Sequence, residues 1–365
     1  MRILYDYQAL FMQKYGGVSR YFYEIINGMR KDYPQDKINI NAAISINYYF
    51  KDEIRMRERR LKHANDMVNN SKVYASLLSA AIINKPYDII HPTFCYDDYL
   101  YKYPGLLKKS KIIVTIHDMI HERFGIDETT IAAKKRSLER ADGIIAVSEY
   151  TKKDMLEIYP NLANKAIKVI YHGSSMKASK GMLNIKLPER YLLFVGQRAD
   201  YKNFKLLIEA MNELKDEFKD LKVLVSGGGD FSSDEIAMIR KYGMTDLFIK
   251  KNLDDNELAH AYRNAAAFVY PSKYEGFGIP ILEAYSENCP VLLSNSSCFP
   301  EIAGDAGIYF DPDDHNSLAD AIRQILGDEE KKNNLIEKGK LRLERYSWEK
   351  ASKETRDFYG YLLNS

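Results

Sequence analysis

Short apolar runs alternate with amphipathic stretches along the chain, and this pattern predicts parallel strands connected by helices. The runs that predict strands occupy residues 3–5, 38–46, 87–92, 112–118, 144–148, 191–196, 221–226, 248–249, 265–271 and 291–293. Helical periodicity covers residues 21–29, 204–214, 258–266, 317–326 and 330–345, and a last helix starts near residue 346 and ends near 363. The order predicts an α/β fold with two doubly wound, Rossmann-like domains, each built on a mainly parallel sheet.

A polar stretch with little periodicity, residues 174–189, separates the two halves and is interpreted as the connection between domains. The chain of 365 residues is long enough for two domains that each bury a core. We therefore expect an N-terminal domain over residues 1–173 and a C-terminal domain over residues 174–346.

Composition narrows the classes of function. The net charge of +2 argues against a protein dedicated to nucleic-acid binding. The three cysteines, Cys95, Cys289 and Cys298, show neither a CxxC motif nor metal-like spacing, which is typical of a reducing compartment. No apolar run reaches membrane-spanning length, and the first ten residues are too polar for a signal peptide. We expect a cytoplasmic protein without disulfide bonds.

The sequence YEGFGIPILEA, residues 274–284, combines a glycine turn, a helix start and two carboxylates. Pro280 suits the first turn of a helix, where a missing N–H loses no partner. Because the turn lies between two buried runs, it is expected above a sheet edge, where the helix dipole favours an anion. Glu283 is placed to accept hydrogen bonds from sugar hydroxyls, and Glu275 can reach a group beyond the phosphate. The alternative is a structural turn whose carboxylates only favour the helix start.

Arg198 and Lys202 flank the loop before the helix predicted at residues 204–214. Two cations beside a helix N-terminus are unfavourable unless an anion is present, because the dipole there is already positive. Arginine offers a planar fork for phosphate, and lysine offers a point charge. The pair indicates a diphosphate site, and the alternative is two solvated surface cations.

Two features of the first half favour the same kind of site. Gly16 and Gly17 precede a predicted helix and would let a bulky anion approach the backbone, although a Gly-Gly pair also marks ordinary turns. His117 and Asp118 end the clearest buried run, and ligands of open α/β sheets bind at the carboxyl ends of strands. A histidine there can instead cap the strand or bond to a loop.

Residues 270–284 closely resemble the signature of the GT4 family of glycosyltransferases, in which a Glu is followed by seven residues and a second Glu. The resemblance continues through Pro290 and Val291 and through residues 299–307, and it covers most of the chain. Two positions depart from the family pattern. Asn288 and Cys289 precede Pro290 where the family usually has a Gly, and His172 stands where the family usually has an Asn before a Gly.

The resemblance implies the two-domain GT-B fold, with the active site in the cleft between the domains. The last helix, residues 347–365, is expected to pack back on the N-terminal domain. The resemblance implies a retaining hexosyltransferase that moves a sugar from a GDP- or UDP-sugar to a hydroxyl of a glycan or lipid-linked glycan. Mannosyl- and glucosyltransferases of surface polysaccharide or glycolipid biosynthesis are of this kind. Retention in the family is ascribed to front-face attack, so no covalent nucleophile is assigned, and no metal or other cofactor is expected.

The resemblance also assigns roles residue by residue. The glycine pair of the N-terminal domain borders the donor phosphates, and His117, rather than His91 or His121, positions the donor sugar or the acceptor. Leu253 lies in the loop against the nucleotide base, Glu283 holds the ribose, and Glu275 holds the sugar. The expected catalytic residues are His117, Glu275, Arg198 and Lys202. The expected donor-binding residues are Gly16, Gly17, Arg198, Lys202, Leu253, Glu275, Gly276, Phe277, Gly278, Ile279 and Glu283.

Two other classes of protein fit parts of this pattern. One is a different GT-B enzyme, such as a nucleotide-sugar epimerase or a phosphorylase, although no lysine motif suggests pyridoxal phosphate. The other is a non-catalytic relative that binds a sugar nucleotide. A donor-hydrolysis assay separates the three, because a transferase slowly releases sugar and nucleotide diphosphate, an epimerase yields an isomer, and a binding protein yields nothing.

A basic cluster between residues 51 and 72 includes Arg55, Arg57, Arg59, Arg60 and Lys62. On a helix it predicts a solvated face. The alternative is weak, salt-sensitive contact with anionic lipid head groups at the inner face of the membrane, aided by lysines 108, 109 and 111.

Overall fold

The computed structural model describes residues 1–12, 16–40, 47–51, 87–95, 110–176 and 185–365. The chain folds into two compact units. The first unit comprises Met1–His172 together with Trp348–Ser365, and the second comprises Gly173–Ser347. Each boundary lies one residue from the position expected from the sequence.

The first unit is built on a six-stranded sheet with the order β2-β1-β3-β4-β5-β6, in which all neighbours pair in parallel. Its strands are β1 Arg2–Tyr5, β2 Lys37–Ile40, β3 Ile89–His91, β4 Lys111–Ile116, β5 Gly143–Ala146 and β6 Ala166–Val169. Its first helices are α1 Gln8–Met12, α2 Gly17–Asp32, α3 Ile120–Phe124, α4 Glu128–Arg140 and α5 Glu149–Ile158. The strand expected over residues 38–46 is described only as far as Ile40, because residues 41–46 lie outside the described residues.

The second unit has a six-stranded sheet with the order β12-β11-β10-β7-β8-β9, again parallel throughout. Its strands are β7 Tyr191–Val195, β8 Lys222–Ser226, β9 Phe248–Lys251, β10 Ala267–Tyr270, β11 Val291–Ser294 and β12 Gly307–Phe310. Its helices are α6 Phe204–Leu214, α7 Ser233–Lys241, α8 Asp255–Asn264, α9 Ile279–Ser286, α10 Phe299–Ala303, α11 His315–Gly327 and α12 Glu329–Leu343. Apolar faces of α6 and α11 cover the sheet and form one buried core with it.

The last helix, α13 Trp348–Asn364, belongs to the first unit. Two glycines allow its close approach, because a Cβ added to Gly28 of α2 would lie 2.4 Å from Ser352 Oγ. A Cβ added to Gly143 of β5 would lie 2.4 Å from Leu362 Cδ1. The hydroxyl of Tyr359 lies 2.9 Å from that of Tyr5, so the helix is bonded into the centre of the first unit.

Local signals explain where several elements start. Ser148 caps α5, because its side chain accepts a hydrogen bond from Thr151 N–H. Helix α8 begins at Asp255, three residues before the predicted start, because Asp254 and Glu257 form a capping box. Strand β9 extends two residues beyond its predicted end at residue 249, to Lys250 and Lys251.

No helix among the described residues is both long and apolar enough to cross a bilayer. Cys95, Cys289 and Cys298 are buried free thiols.

Candidate functional site

In the second unit, the loops that follow β7 and β10 are joined at the carboxyl edge of the sheet. The backbone N–H of Lys273 donates to the carbonyl of Tyr201 at 2.7 Å. The side-chain amide of Asn203 donates to the carbonyl of Pro312 at 2.7 Å, which adds the loop after β12. Residues far apart in sequence therefore meet at the edge where open parallel sheets bind ligands.

Lys202 and Glu275 form the centre of this edge. Lys202 ends a short 3₁₀ turn, Asp200–Lys202, and its Nζ lies 2.5 Å from Glu275 Oε1. Both side chains are largely buried, at 17% and 11% exposure, so the pair is little screened by solvent. Burial and the Glu275 carboxylate raise the pKa of the neighbouring Tyr270 phenol, so Tyr270 stays a neutral hydroxyl. The structure thus brings together two residues that the sequence predicted for one site.

Glu275 is followed by the predicted glycine turn and the start of α9. Gly278 has a left-handed backbone, with φ of 89°, and precedes the first helical residue, Ile279. A Cβ on Gly278 would lie 3.2 Å from both Ile281 Cδ1 and Phe299 Cε1. Helix α9 has no side-chain cap, and Pro280 lies in its first turn as predicted. An uncapped helix start beside a lysine is a favourable place for an anion.

Serines of the loop after β11 support the segment that carries Glu275. The hydroxyls of Ser294 and Ser296 both donate to the carbonyl of Ser272, the second at 3.1 Å. The backbone N–H of Glu275 donates to Ser297 Oγ at 3.2 Å. The buried hydroxyl of Ser272 has no hydrogen-bond partner among the described residues. The carboxylate of Glu275 is thus held by a rigid backbone.

Glu283 lies inside α9 and is 6% exposed. The hydroxyl of Tyr262, a fully buried residue of α8, donates to Glu283 Oε2 at 3.4 Å. Leu253 lies in the connection between β9 and α8 and is half-buried. The predicted ribose and base contacts therefore belong to the same unit as the lysine and glutamate pair.

Arg198, which the sequence predicts for the diphosphate, bonds to a glutamate and to the glycine loop after β8. Its Nε donates to Glu235 Oε1 at 2.8 Å, and its Nη1 donates to the carbonyl of Gly227 at 3.0 Å. Its Nη2 donates to the carbonyls of Gly229 and Asp230 at 3.2 and 2.6 Å. Most of its N–H donors are therefore engaged, and its side chain is only 4% exposed.

The glycine loop after β8 is shaped for this arginine. Gly227, Gly228 and Gly229 all have positive φ, at 87°, 72° and 73°. A Cβ on Gly228 would lie 2.8 Å from Arg198 Nη1, so side chains are excluded there. Arg198 and the loop line an open recess of about 490 Å³. Its other lining residues are Gln197, Ala199, Asp230, Ser232 and Glu235. The triple glycine is thus a partner of Arg198.

In the first unit, helix α2 starts at the glycine pair and contacts His117. Gly16 precedes the helix and Gly17 is its first residue. One turn later, the ring of Tyr21 contacts the ring of His117 edge-on, with centroids 5.0 Å apart. His117 directly follows β4, at the carboxyl edge of the sheet, as predicted.

His117 is held in its neutral form. Burial lowers its pKa to about 4, although the Asp118 carboxylate opposes that shift. Its Nε2 is buried and has no hydrogen-bond partner among the described residues. A buried polar atom without a partner is unfavourable, which is the state expected of a group that bonds to a ligand.

The loop that carries His117 is anchored by Lys134. Its Nζ donates to the carbonyl of Asp118 at 3.1 Å and to Glu122 Oε2 at 2.8 Å. His91 has a structural place, since Tyr359 Oη lies 2.5 Å from its Nδ1 and Thr115 Oγ1 lies 2.9 Å from its Nε2. Both ring nitrogens of His91 therefore have partners, whereas His117 Nε2 has none among the described residues.

Among the described residues, no three His, Cys, Asp or Glu side chains gather as a metal site. The Asp-x-Asp spacing at Asp311 and Asp313 belongs to a turn, because Asp313 N–H donates to Asp311 Oδ1. Lys273 pairs with Asp313 at 2.5 Å. The basic cluster of residues 52–72, together with Lys108 and Lys109, lies outside the described residues.

The residues that hydrogen-bond to the predicted site residues and hold them in place were not predicted from the sequence. Tyr262, Glu235, Lys134 and the serines after β11 carry no motif, and their partners lie 12 to 37 positions away in the chain. The one available signal was the serine-rich stretch of residues 294–297, which directly follows a buried run.

Two family models match the chain. The model described as glycosyl transferases group 1 matches residues 175–342, and the model described as Glycosyltransferase Family 4 matches residues 15–175. The O-antigen chain mannosyltransferase B of Escherichia coli is 26% identical over 373 residues, which cover 95% of this chain and 96% of the relative. The O-antigen chain mannosyltransferase RfbU of Salmonella typhimurium is 32% identical over 192 residues, 52% of this chain and 53% of the relative.

Solved structures share the fold. The sucrose-phosphate synthase from Thermosynechococcus elongatus matches with a TM-score of 0.78 and 19% identity, over 100% of this chain and 99% of that chain. HepE of Anabaena, solved in complex with UDP and glucose, matches with a TM-score of 0.73 and 15% identity, over 99% of this chain and 100% of that chain.

Proposed function

This chain belongs to the group 1 glycosyltransferases of family 4 type, with the GT-B fold, and we propose that it is a retaining hexosyltransferase. Its donor is a nucleoside diphosphate sugar, and its acceptor is a hydroxyl of a growing glycan or lipid-linked glycan. The proposal goes beyond family membership in three respects: the retained configuration, the donor, and the acceptor.

The contact between Lys202 and Glu275 carries the proposal. The cation and the start of α9 favour a diphosphate, while the carboxylate beside them favours hydroxyl groups. The acceptor oxygen attacks the anomeric carbon as the bond from that carbon to the diphosphate oxygen breaks. The acceptor proton moves to the leaving diphosphate. Lys202 stabilises the negative charge that develops on the leaving group, and no covalent intermediate is needed.

His117 supplies the contribution of the first unit. A neutral imidazole can exchange a hydrogen bond with a sugar hydroxyl, and the buried Nε2 gains a partner when it does so. Arg198 acts mainly by fixing the glycine loop after β8, because most of its donors are engaged there. It still contributes positive potential to the edge of the sheet.

Two relatives named O-antigen chain mannosyltransferases support mannose as the sugar and surface polysaccharide as the product. We therefore propose GDP-mannose as the donor to test first, with UDP-glucose and UDP-N-acetylglucosamine as competing donors. Lys202 and the helix start provide the positive charge at the diphosphate, so we also propose turnover without a divalent metal.

The test combines melting curves with donor turnover. A ligand that binds only the folded state stabilises that state by about 2.7 kcal/mol when its concentration is 100 times its Kd. The correct donor should therefore raise the melting temperature most. We expect GDP-mannose to do so and to release mannose and GDP slowly, with excess chelator present. An isomeric sugar nucleotide as product would indicate an epimerase. The absence of stabilisation by any nucleotide sugar would contradict the proposal.

A further inference from the structure

The rings of Tyr21, Phe22 and His172 contact the ring of the candidate catalytic histidine, His117, in the first unit. The ring of Tyr21 lies 5.0 Å from that of His117 and 5.0 Å from that of His172. His172 stacks on Trp348 with centroids 5.4 Å apart and planes 29° apart. The His117 and His172 rings are 5.9 Å apart. His117 is therefore connected through ring contacts to a stacked pair that the proposed reaction does not use.

The stacked pair stands at both points where the chain leaves the first unit. His172 is the last residue of the segment Met1–His172, and Trp348 is the first residue of the segment Trp348–Ser365. The chain therefore leaves the first unit through one connection at His172 and re-enters it through a second at Trp348. The side chains of these two residues are in contact although they lie 176 positions apart in sequence.

We propose that the His172–Trp348 stack is a positioning element for His117, which sets the orientation of the His117 ring and transmits to it any change in the path of the two connections. This inference rests on the proposed function, since His117 is taken as the residue that contacts the sugar. His172 and Trp348 act through His117 and Tyr21.

The hydrogen-bond pattern supports a positioning role. Because His117 Nε2 has no partner among the described residues, ring packing has a large share in setting the orientation of that imidazole. Tyr21, by contrast, is fixed, because its hydroxyl lies 3.2 Å from Thr115 Oγ1 on the strand that carries His117. Thr115 Oγ1 is in turn 2.9 Å from His91 Nε2. The fixed ring of Tyr21 therefore contacts both the stack and His117.

The buried nitrogen of Trp348 points to the same conclusion. Its Nε1 has no hydrogen-bond partner among the described residues, and a buried donor without a partner is unfavourable. A phenylalanine would fill much of this position without that penalty. The indole instead offers a large flat surface on which the His172 ring stacks.

The experiment compares three variants by kinetics with the donor varied. His172→Asn removes the stacking ring, His172→Phe keeps a stacking ring, and Phe358→Leu is the control. Phe358 is buried on the same helix as Trp348 and stacks on Tyr361. Among the described residues, the rings that contact His117 are those of Tyr21, Phe22 and His172. We expect His172→Asn to lower kcat at least about tenfold with little change in donor KM, because misplaced catalytic groups cost rate more than binding. His172→Phe should restore most of the rate. Phe358→Leu should lower only the melting temperature.

Two spectroscopic readouts do not depend on turnover. Trp348 is the only tryptophan of the chain, so tryptophan emission reports on the stack alone. The imidazole signals of His117, assigned by comparison with His117→Gln, should shift in His172→Asn and stay in place in Phe358→Leu. Unchanged signals in His172→Asn would overturn the inference, as would a wild-type kcat. Wild-type protein without turnover on any donor would instead contradict the proposed function, and the imidazole signals would still test the positioning role.

Discussion

At the scale of single residues, Lys202 makes the most direct prediction. Lys202→Met should lower kcat by a factor of about 100 to 1,000, because it removes a preorganised cation from the leaving diphosphate. Lys205→Met is the matched control: it makes the same change of charge three residues later, on an exposed side chain of α6. Steady-state kinetics of both variants decide the matter, and equal activities would remove Lys202 from the diphosphate site.

Substitutions of the two glutamates of the signature should change different kinetic parameters. Glu283 is assigned to the ribose, far from the bond that breaks, so Glu283→Gln should raise donor KM more than it lowers kcat. Glu275 is assigned to the sugar, which gains positive charge in the transition state, so Glu275→Gln should mainly lower kcat. Kinetics with the donor varied and melting curves are the measurements. The reverse pattern would exchange the two roles, and lower melting temperatures with normal kinetics would make both residues structural.

Residue types and spacing predicted which residues lie near each other better than they predicted the contacts that their side chains make. The two glutamates and the glycine turn could be expected together because they are contiguous in the chain, whereas Lys202 lies 73 positions before Glu275. The engagement of Arg198 could not, because it depends on three successive left-handed glycines about 30 positions later. The direct contact of Lys202 with Glu275 was equally hidden, since it requires the packing of two loops.

At the scale of elements, the turn before α9 gives a stability prediction. Gly278→Ala should destabilise the protein by roughly 1–3 kcal/mol, because φ is positive and the added Cβ meets two side chains. Gly360→Ala is the opposite control, since it lies inside α13 with nothing within 4 Å of the added atom. It should stabilise by about 0.5–1 kcal/mol. Denaturant unfolding of both variants tests the pair, and equal shifts would contradict the strain argument.

Ten of the twelve strands that the structure describes could be predicted, whereas β6, β12 and helices such as α4 and α7 were not expected from the sequence, and neither were some ends of the predicted elements. The N-cap of α5 and the proline of α9 are local chemistry that sequence displays directly. The start of α8 was also readable, since Asp254 and Glu257 have capping-box spacing. The end of β9 was not, because Lys250 and Lys251 pair through their backbones with a neighbouring strand, and backbone pairing needs no apolar side chains.

At the scale of the whole molecule, buried histidines make stability depend on pH. Burial lowers the pKa of His91 to about 3 and that of His117 to about 4, and it lowers the pKa of His172 as well. Below pH 6.5 the unfolded chain binds protons that these folded-state imidazoles do not bind. The free energy of unfolding should therefore fall with pH below about 6.5, by up to about 1.4 kcal/mol per pH unit for each histidine.

This dependence is measured by denaturant unfolding between pH 7 and pH 5. His172→Phe removes one buried imidazole and keeps a ring, so its stability should fall less steeply with pH. A wild-type slope in His172→Phe would show that this imidazole is protonated in the folded protein.

The place of α13 in the chain has a consequence for synthesis on the ribosome. Tyr359 completes the centre of the first unit, yet it is translated only after the entire second unit. At about 5–20 residues per second, the nascent first unit waits on the order of ten seconds or more without this helix. During that time Gly28 and Gly143 face no partner from α13, and the apolar surface that α13 covers is open to association with other nascent chains. The second unit can fold meanwhile. A chain that stops at residue 347 should therefore yield a protease-resistant second unit and a protease-sensitive first unit, and equal resistance of both would show that the first unit folds without its last helix.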